Sequence, residues 1–229
     1  MSGPSPSPGS RADLRHVRAW LFDLDNTLYP LESGLSVRAS ARITDYVEAL
    51  TGLARDEAHA LQKRYLADHG LTLRGLMTHH GVDPDEYHAF INDLELDCLA
   101  HDPALKAALL RLPGRRIIFT NADACHTERV LARLELVGLF DEVFHIGSAD
   151  FNPKPSPLAF ERIVAAHGIV PAETAFFEDA ERNLEPAAAL GMTTVLVGPH
   201  ALASTAPFVH YRTAALAPFL ATAEVSETA

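Results

Sequence analysis

The sequence predicts an α/β protein in which a parallel sheet, covered by helices on both faces, carries an inserted all-helical module after its first strand. Three observations lead there. From Pro103 onward, short apolar runs alternate with helical stretches, the pattern of repeated βα units. Those runs are apolar without a polar alternation, so both faces of each strand are expected to be buried, as in parallel sheets. Between the first apolar run and this series, residues 31–101 show helical rather than strand periodicity.

The elements follow in order. Ala19-Trp20-Leu21-Phe22 is the first strand. Leu35, Ala39, Ile43, Tyr46, Val47 and Leu50 form the apolar stripe of a first helix. Ala58, Leu61 and Tyr65 mark a second, and Leu73, Leu76 and Met77 a short third. The fourth is the clearest. Asp83-Pro84-Asp85-Glu86 reads as an N-cap, a proline at the first helical position and a glutamate reaching back, ahead of Tyr87, Phe90, Ile91 and Leu94 on one face. Strands are then expected over 115–120, 142–146, 174–177 and 193–197, with helices over 127–137, 157–167 and 181–190 between them. Gly138, Gly168 and Gly191 stand just past those helices, at the left-handed position that glycine adopts cheaply. A short strand over 208–211 and a helix over 213–222 complete the pattern. The reading gives a disordered tail (1–12), a Rossmann-like core (13–30 and 102–229) and a helical cap insertion (31–101).

Composition narrows the function. A chain of 229 residues with 48% hydrophobic content can bury a proper core, and can be one domain with an inserted module. A formal charge of −11 argues against binding nucleic-acid polymers or anionic membranes. Arg111, Arg115 and Arg116 are too interspersed with acid to change that. Cys98 and Cys125 lack metal-ligand spacing and read as free thiols in a reducing compartment. Met1–Ser10 is rich in Ser, Pro and Gly and lacks the apolar stretch of a signal peptide, and no apolar run approaches a membrane span. The expected location is therefore the cytoplasm. The twelve histidines, His79-His80, His88 and His101 among them, show no convincing metal-ligand pattern. Nothing in the sequence points to a particular oligomeric state.

Chemistry begins at Asp23-Leu24-Asp25-Asn26-Thr27, where the first strand runs out. Period-two side chains would put Asp23 and Asp25 on one side. Two carboxylates there call for a cation, and Mg²⁺ prefers one or two carboxylates beside a phosphate. One aspartate is then free to act as nucleophile and the other to manage protons. A solvated strand-to-turn junction is the bland alternative.

Four motifs in order decide between them. Asp23-Leu24-Asp25-Asn26-Thr27-Leu28-Tyr29-Pro30 resembles the first motif of the haloacid dehalogenase superfamily, most of whose members are phosphatases. Thr120-Asn121 ends the run Ile117-Ile118-Phe119, Lys154 lies in Asn152-Pro153-Lys154-Pro155-Ser156-Pro157, and Glu178-Asp179 ends Thr174-Ala175-Phe176-Phe177. The resemblance implies a small-molecule phosphomonoester as substrate and Mg²⁺ as cofactor. It makes Asp23 the nucleophile that forms an aspartyl-phosphate and Asp25 the general acid/base. Asp25 also lends its backbone carbonyl to the metal, and Asp179 is the second metal carboxylate. Thr120 and the backbone N–H of Asn121 hold phosphoryl oxygens, and Lys154 neutralises charge. Glu178 is left as a supporting residue, and Asn183 as a group that orients Lys154 or a metal-bound water.

Tyr29-Pro30, the cap segment Gly70-Leu71-Thr72-Leu73-Arg74-Gly75-Leu76 and Phe176-Phe177-Glu178-Asp179 with Asn183-Leu184 are similar to the pyrimidine 5′-nucleotidase-like branch. That implies a nucleoside 5′-monophosphate, pyrimidine favoured, with Arg74 as a cap-side contact or else an arginine of the helix surface. Asp68-His69 departs from the tyrosine usual beside that glycine, which bears on nucleotide specificity. The alternatives are a phosphatase or mutase for phosphoglycolate or sugar phosphates, a 2-haloacid dehalogenase (against which Asp25 speaks), and a noncatalytic phosphate-binding module. A signalling receiver domain fails on length, on the helical insertion and on motif order.

Overall fold

The computed structural model describes residues 11–227; the expected tail over Met1–Ser10 lies outside the described residues. Ala12, counted with that tail, is buried, and its carbonyl accepts the Glu224 N–H.

Six parallel strands form one sheet in the order β3-β2-β1-β4-β5-β6. They are β1 (Ala19–Phe22), β2 (Arg115–Phe119), β3 (Glu142–Phe144), β4 (Thr174–Glu178), β5 (Thr193–Val197) and β6 (Tyr211–Thr213). Side-chain alternation explains why both faces are dry. Trp20, Phe22, Ile118, Ala175, Phe177 and Val195 enter one apolar cluster. Leu21, Ile117, Phe119, Phe176 and Leu196 enter another on the opposite face. Helices α5 (Pro103–Leu110), α6 (Ala124–Arg133) and α9 (Leu216–Thr222) pack into the first cluster, and α7 (Pro157–His167) and α8 (Glu181–Ala189) into the second. This is the doubly covered α/β core expected from the sequence.

The insertion folds as α1 (Leu35–Thr51), α2 (Arg55–His69), α3 (Thr72–His80) and α4 (Pro84–Ile91). It has a core of its own: Val47, Ala58, Leu61, Leu73, Leu76, Val82 and Tyr87. Asp83 caps α4 by accepting the N–H groups of Asp85 and Glu86. A Cβ on Gly75 would lie 2.4 Å from Cγ of Tyr65, so α3 can lie this close to α2 only with glycine there. Leu96 and Leu99, read with the cap, pack instead in the sheet's first cluster.

Local readings shift in three places. Helix α6 ends at Arg133, with Leu134 as its C-cap, rather than at Val137, because Glu135 takes the left-handed turn with φ 57°. The apolar pattern continues past it since Leu134 and Leu136 are both buried without being helical. Helix α5 was not foreseen, and it is capped by Asp102, whose carboxylate accepts the Ala104 and Leu105 N–H groups. The last strand lies over Tyr211–Thr213 rather than 208–211.

Candidate active site

The strand order reverses direction between β1 and β4, and in open parallel sheets a ligand crevice opens beyond the carboxyl ends at that point. Phe22 pairs with Ile118 on one side and Phe177 on the other, so β1, β2 and β4 finish almost level. Asp23, Thr120 and Asp179 therefore emerge together. Strand parity sets the finer aim. Leu21 and Phe176 face the second apolar cluster, and the next residues of the same parity, Asp23 and Glu178, turn to that face too. The loop ahead of α7 delivers Lys154 to meet them.

Lys154 is 1% exposed and its ammonium uses all three protons. It donates to Asp23 Oδ1 at 2.7 Å, to Glu178 Oε2 at 2.7 Å and to the Phe119 carbonyl at 2.8 Å. Asn121 clamps its backbone: the Lys154 N–H donates to Asn121 Oδ1 at 2.8 Å, and Asn121 Nδ2 donates to the Lys154 carbonyl at 3.2 Å. Glu178, not Asn183, thus orients the lysine. Burial pushes the Lys154 ammonium toward deprotonation, but Asp23 and Glu178 outweigh it and hold its pKa above the ordinary value.

Carboxylate oxygens of Asp23, Glu178 and Asp179 all lie within 4.8 Å of one another. One ammonium does not balance three such charges. Burial, and then Glu178, push Asp23 up to about 7 despite Lys154. The same two causes, with Asp23 added, push Asp179 up to about 8. Burial raises Glu178 as well, but Lys154 and the hydrogen bonds at its oxygens bring it below its ordinary value.

Asp25 behaves differently because β1 has ended. Leu28 N–H donates to the Leu24 carbonyl in a turn, and Asn26 adopts φ 63°, a left-handed conformation that asparagine tolerates. Strand parity therefore does not govern Asp25 as expected. Its Oδ1 accepts from Tyr29 OH at 2.5 Å and pairs with His126 Nε2 at 2.8 Å. Burial raises the Asp25 carboxyl, but His126 and Tyr29 draw it below the usual carboxylate range.

A cleft of about 320 Å³ joins these groups. Asp23, Asp25, Thr120, Asn121, Lys154 and Asp179 form its floor, and Ile43, Leu71, Leu73, Tyr87 and Ile91 of the cap form an apolar roof. Thr120 Oγ1 accepts the Ala122 N–H at 3.0 Å, which leaves its proton for a ligand. Arg74 is not among the residues that line this cleft. Asn92 and His126, which the sequence did not single out, line the cleft from the end of α4 and the first turn of α6, and His88 of α4 lines it beside Asn92.

The donor set fits a hard divalent cation. Glu178 is committed on both oxygens, to Lys154 and to the Ala180 N–H at 3.1 Å; Asp23 gives Oδ1 to Lys154 and takes only a long 3.3 Å hydrogen bond from Thr27 on Oδ2, so Asp23 Oδ2 and Asp179 are left to offer oxygen ligands. Asn183 Oδ1 is buried at the same cleft with no hydrogen-bond donor among the described residues, as a group reserved for a metal-bound water would be. The Asp25 carboxylate stands outside the cluster, so only its backbone could contribute. No helix among the described residues is long and apolar enough to cross a membrane.

Comparison with known proteins gives a consistent picture. The family description for haloacid dehalogenase-like hydrolases matches residues 17–191. Phosphate metabolism protein 8 of Saccharomyces cerevisiae is 28% identical over 209 residues, 84% of this chain; the chain spans 63% of that relative's length. Among solved structures, a HAD phosphatase from Thermococcus onnurineus superposes with a TM-score of 0.60 at 18% identity, covering 87% of this chain and 94% of its own. L-2-haloacid dehalogenase from Xanthobacter autotrophicus superposes with a TM-score of 0.55 at 19% identity, covering 90% and 97%.

Proposed function

The chain belongs to the haloacid dehalogenase-like hydrolase family, and on that premise we propose that it is a Mg²⁺-dependent phosphomonoester hydrolase working through an aspartyl-phosphate on Asp23, with nucleoside 5′-monophosphates, pyrimidine ones favoured, as substrates. The observation that carries the reading is the buried cluster of Asp23, Glu178 and Asp179 around Lys154, at the floor of a cleft on the carboxyl ends of the strands.

In this mechanism Asp23 and Asp179, with the Asp25 backbone carbonyl, would hold Mg²⁺. When bound, the metal would draw the phosphoryl oxygens toward Asp23 and offset their charge. Thr120 and the Asn121 N–H would hold two of those oxygens, and Lys154 would steady the charge that builds between Asp23 and phosphorus. An Asp23 oxygen forms the new bond to phosphorus while the ester P–O bond breaks, and Asp25 gives its proton to the departing oxygen. Water then attacks phosphorus and passes a proton to Asp25 while the bond between the Asp23 oxygen and phosphorus breaks, so inorganic phosphate leaves and the aspartate pair returns to its starting state.

One observation favours a nucleotide over the smaller phosphates. The cap side of the cleft is largely apolar, its polar groups being those of Tyr87, His88 and Asn92, and it supplies no lysine or arginine for the carboxylate of phosphoglycolate. A planar base fits such a wall better. The relative's name refers to phosphate, which supports phosphate chemistry without choosing the leaving group. Free Cys98 and Cys125 suit the cytoplasm.

The test is phosphate release with Mg²⁺ from UMP, CMP, AMP, phosphoglycolate and sugar phosphates, and chloride release from 2-chloropropionate, with the Asp23→Asn protein as blank. Preference for UMP and CMP supports the whole proposal. Broad or sugar-phosphate turnover keeps the chemistry and removes the nucleotide; chloride release without metal replaces the reading by dehalogenation.

A further inference from the structure

We infer that His126 is a positioning residue for proton transfer, which fixes the Asp25 carboxylate through Oδ1 so that Oδ2 alone carries the proton. The inference rests on the phosphatase reading above and adds to it a residue and an atom.

The geometry is asymmetric. Tyr29 OH and His126 Nε2 both converge on Asp25 Oδ1, at 2.5 and 2.8 Å. No hydrogen bond from a described residue reaches Oδ2. A carboxyl oxygen that bears no proton is an acceptor whether or not its twin is protonated. Both contacts therefore survive as Asp25 cycles between acid and carboxylate, with Tyr29 and His126 donating throughout. Oδ2 is left to give a proton to the ester oxygen as the P–O bond breaks, and later to take one from the attacking water.

His126 is itself held firmly. Its side chain is 13% exposed, against 35% for Asp25. Its backbone N–H donates to Asp123 Oδ1 at 3.1 Å, the N-cap of α6. Asn92, just past the last cap helix, donates to the same oxygen at 2.9 Å. Arg129, one turn further along α6, donates to the Asn92 carbonyl. The imidazole thus stands on a turn braced by both the core and the end of the cap, and it reaches a residue 101 positions earlier in the chain.

Leaving-group dependence separates positioning from mere packing. An aryl leaving group such as p-nitrophenolate departs without a proton, whereas an alkoxide needs one. The parameter kcat/KM reports steps up to formation of the aspartyl-phosphate, so later hydrolysis does not blur it. The ratio of two kcat/KM values on one protein is also indifferent to the fraction that is folded. The experiment measures kcat/KM for p-nitrophenyl phosphate and for an alkyl ester, UMP or, if UMP is not turned over, ribose 5-phosphate. Wild type, His126→Ala and His126→Gln are compared. With His126→Ala, the alkyl ester should lose about ten- to a hundredfold and the aryl ester no more than about threefold, since small misplacements of a proton donor have such effects. His126→Gln keeps an N–H donor at similar reach and should recover most of the lost ratio. Equal losses on both esters, no loss at all, or a glutamine variant as selective against the alkyl ester as alanine would overturn the inference. A wild-type protein inert toward both esters would remove the phosphatase reading itself, and this inference with it.

Discussion

Replacing Lys154 by Met isolates the electrostatics on which the site depends. The substitution conserves bulk and removes a buried ammonium that makes three hydrogen bonds, two of them to carboxylates. What remains is Asp23, Glu178 and Asp179 in mutual contact without a counter-charge. Breaking a buried pair by removing one partner costs about 3–5 kcal/mol. For a chain of this size each kcal/mol corresponds to roughly 2–4 °C, so the melting temperature should fall on the order of 10 °C. The loss should grow with pH. Asp23 and Asp179 reach about 7 and about 8 in the intact protein, so at mildly acidic pH they can shed charge by taking protons, and at alkaline pH they cannot. The assay is thermal unfolding by circular dichroism in EDTA, at a mildly acidic and a mildly alkaline pH. Mg²⁺ should restore part of the loss by supplying positive charge at the same carboxylates. In parallel, kcat should drop by at least about a hundredfold, as for removal of an oriented donor. A metal-free Lys154→Met protein that melts within about 2 °C of wild type at both pH values would refute the reasoning, because the cost of the unpaired cluster would then be absent.

Three further outcomes follow from the same geometry. In the metal-free wild type, the raised pKa values of Asp23 and Asp179 contribute stability that is complete below the ordinary carboxylate value and lost as pH rises through about 7 and about 8. Unfolding curves in EDTA should therefore show stability falling across that window, and saturating Mg²⁺ should flatten the fall. Asn121→Ala removes both bonds to the Lys154 backbone. It should cost about 1–3 kcal/mol by urea denaturation and lower kcat more than it changes KM. Arg74→Ala, in contrast, should leave kcat/KM within about twofold of wild type, a change too small for a lost substrate contact, because Arg74 does not line the cleft.

The central strands β1, β4 and β5 were legible because they are apolar on both faces and short enough that little else fits the run, whereas β6, a half-buried Tyr-Arg-Thr, carries no such signal and was misplaced. Asp23, Thr120 and Asp179 were legible because each is where an apolar run stops. Helix ends were less so. The buried Leu134 and Leu136 extend the apolar pattern of α6 past its last turn, and nothing local announces that Glu135 rather than Gly138 takes the left-handed position. Within the site, the pairings that depend on topology were hidden. His126 meets Asp25 only because β1 and β2 are neighbours and α6 starts at the end of β2. Glu178 was read as a supporting residue, but strand parity with Phe176 aims it at Lys154. Arg74 follows the opposite logic: it sits in a segment that resembles a nucleotidase cap, yet the cleft is walled by its neighbours Leu71 and Leu73.

The claim at the centre is that Asp23 becomes covalently phosphorylated during turnover. Wild type and Asp23→Asn would be mixed with a ³²P-labelled substrate in Mg²⁺, quenched in acid within the first turnover, digested and mapped. The account predicts a hydroxylamine-labile phosphoryl group on the wild-type peptide that contains Asp23, and none on the variant. Phosphate release with no labelled peptide, or undiminished release by Asp23→Asn, would contradict it.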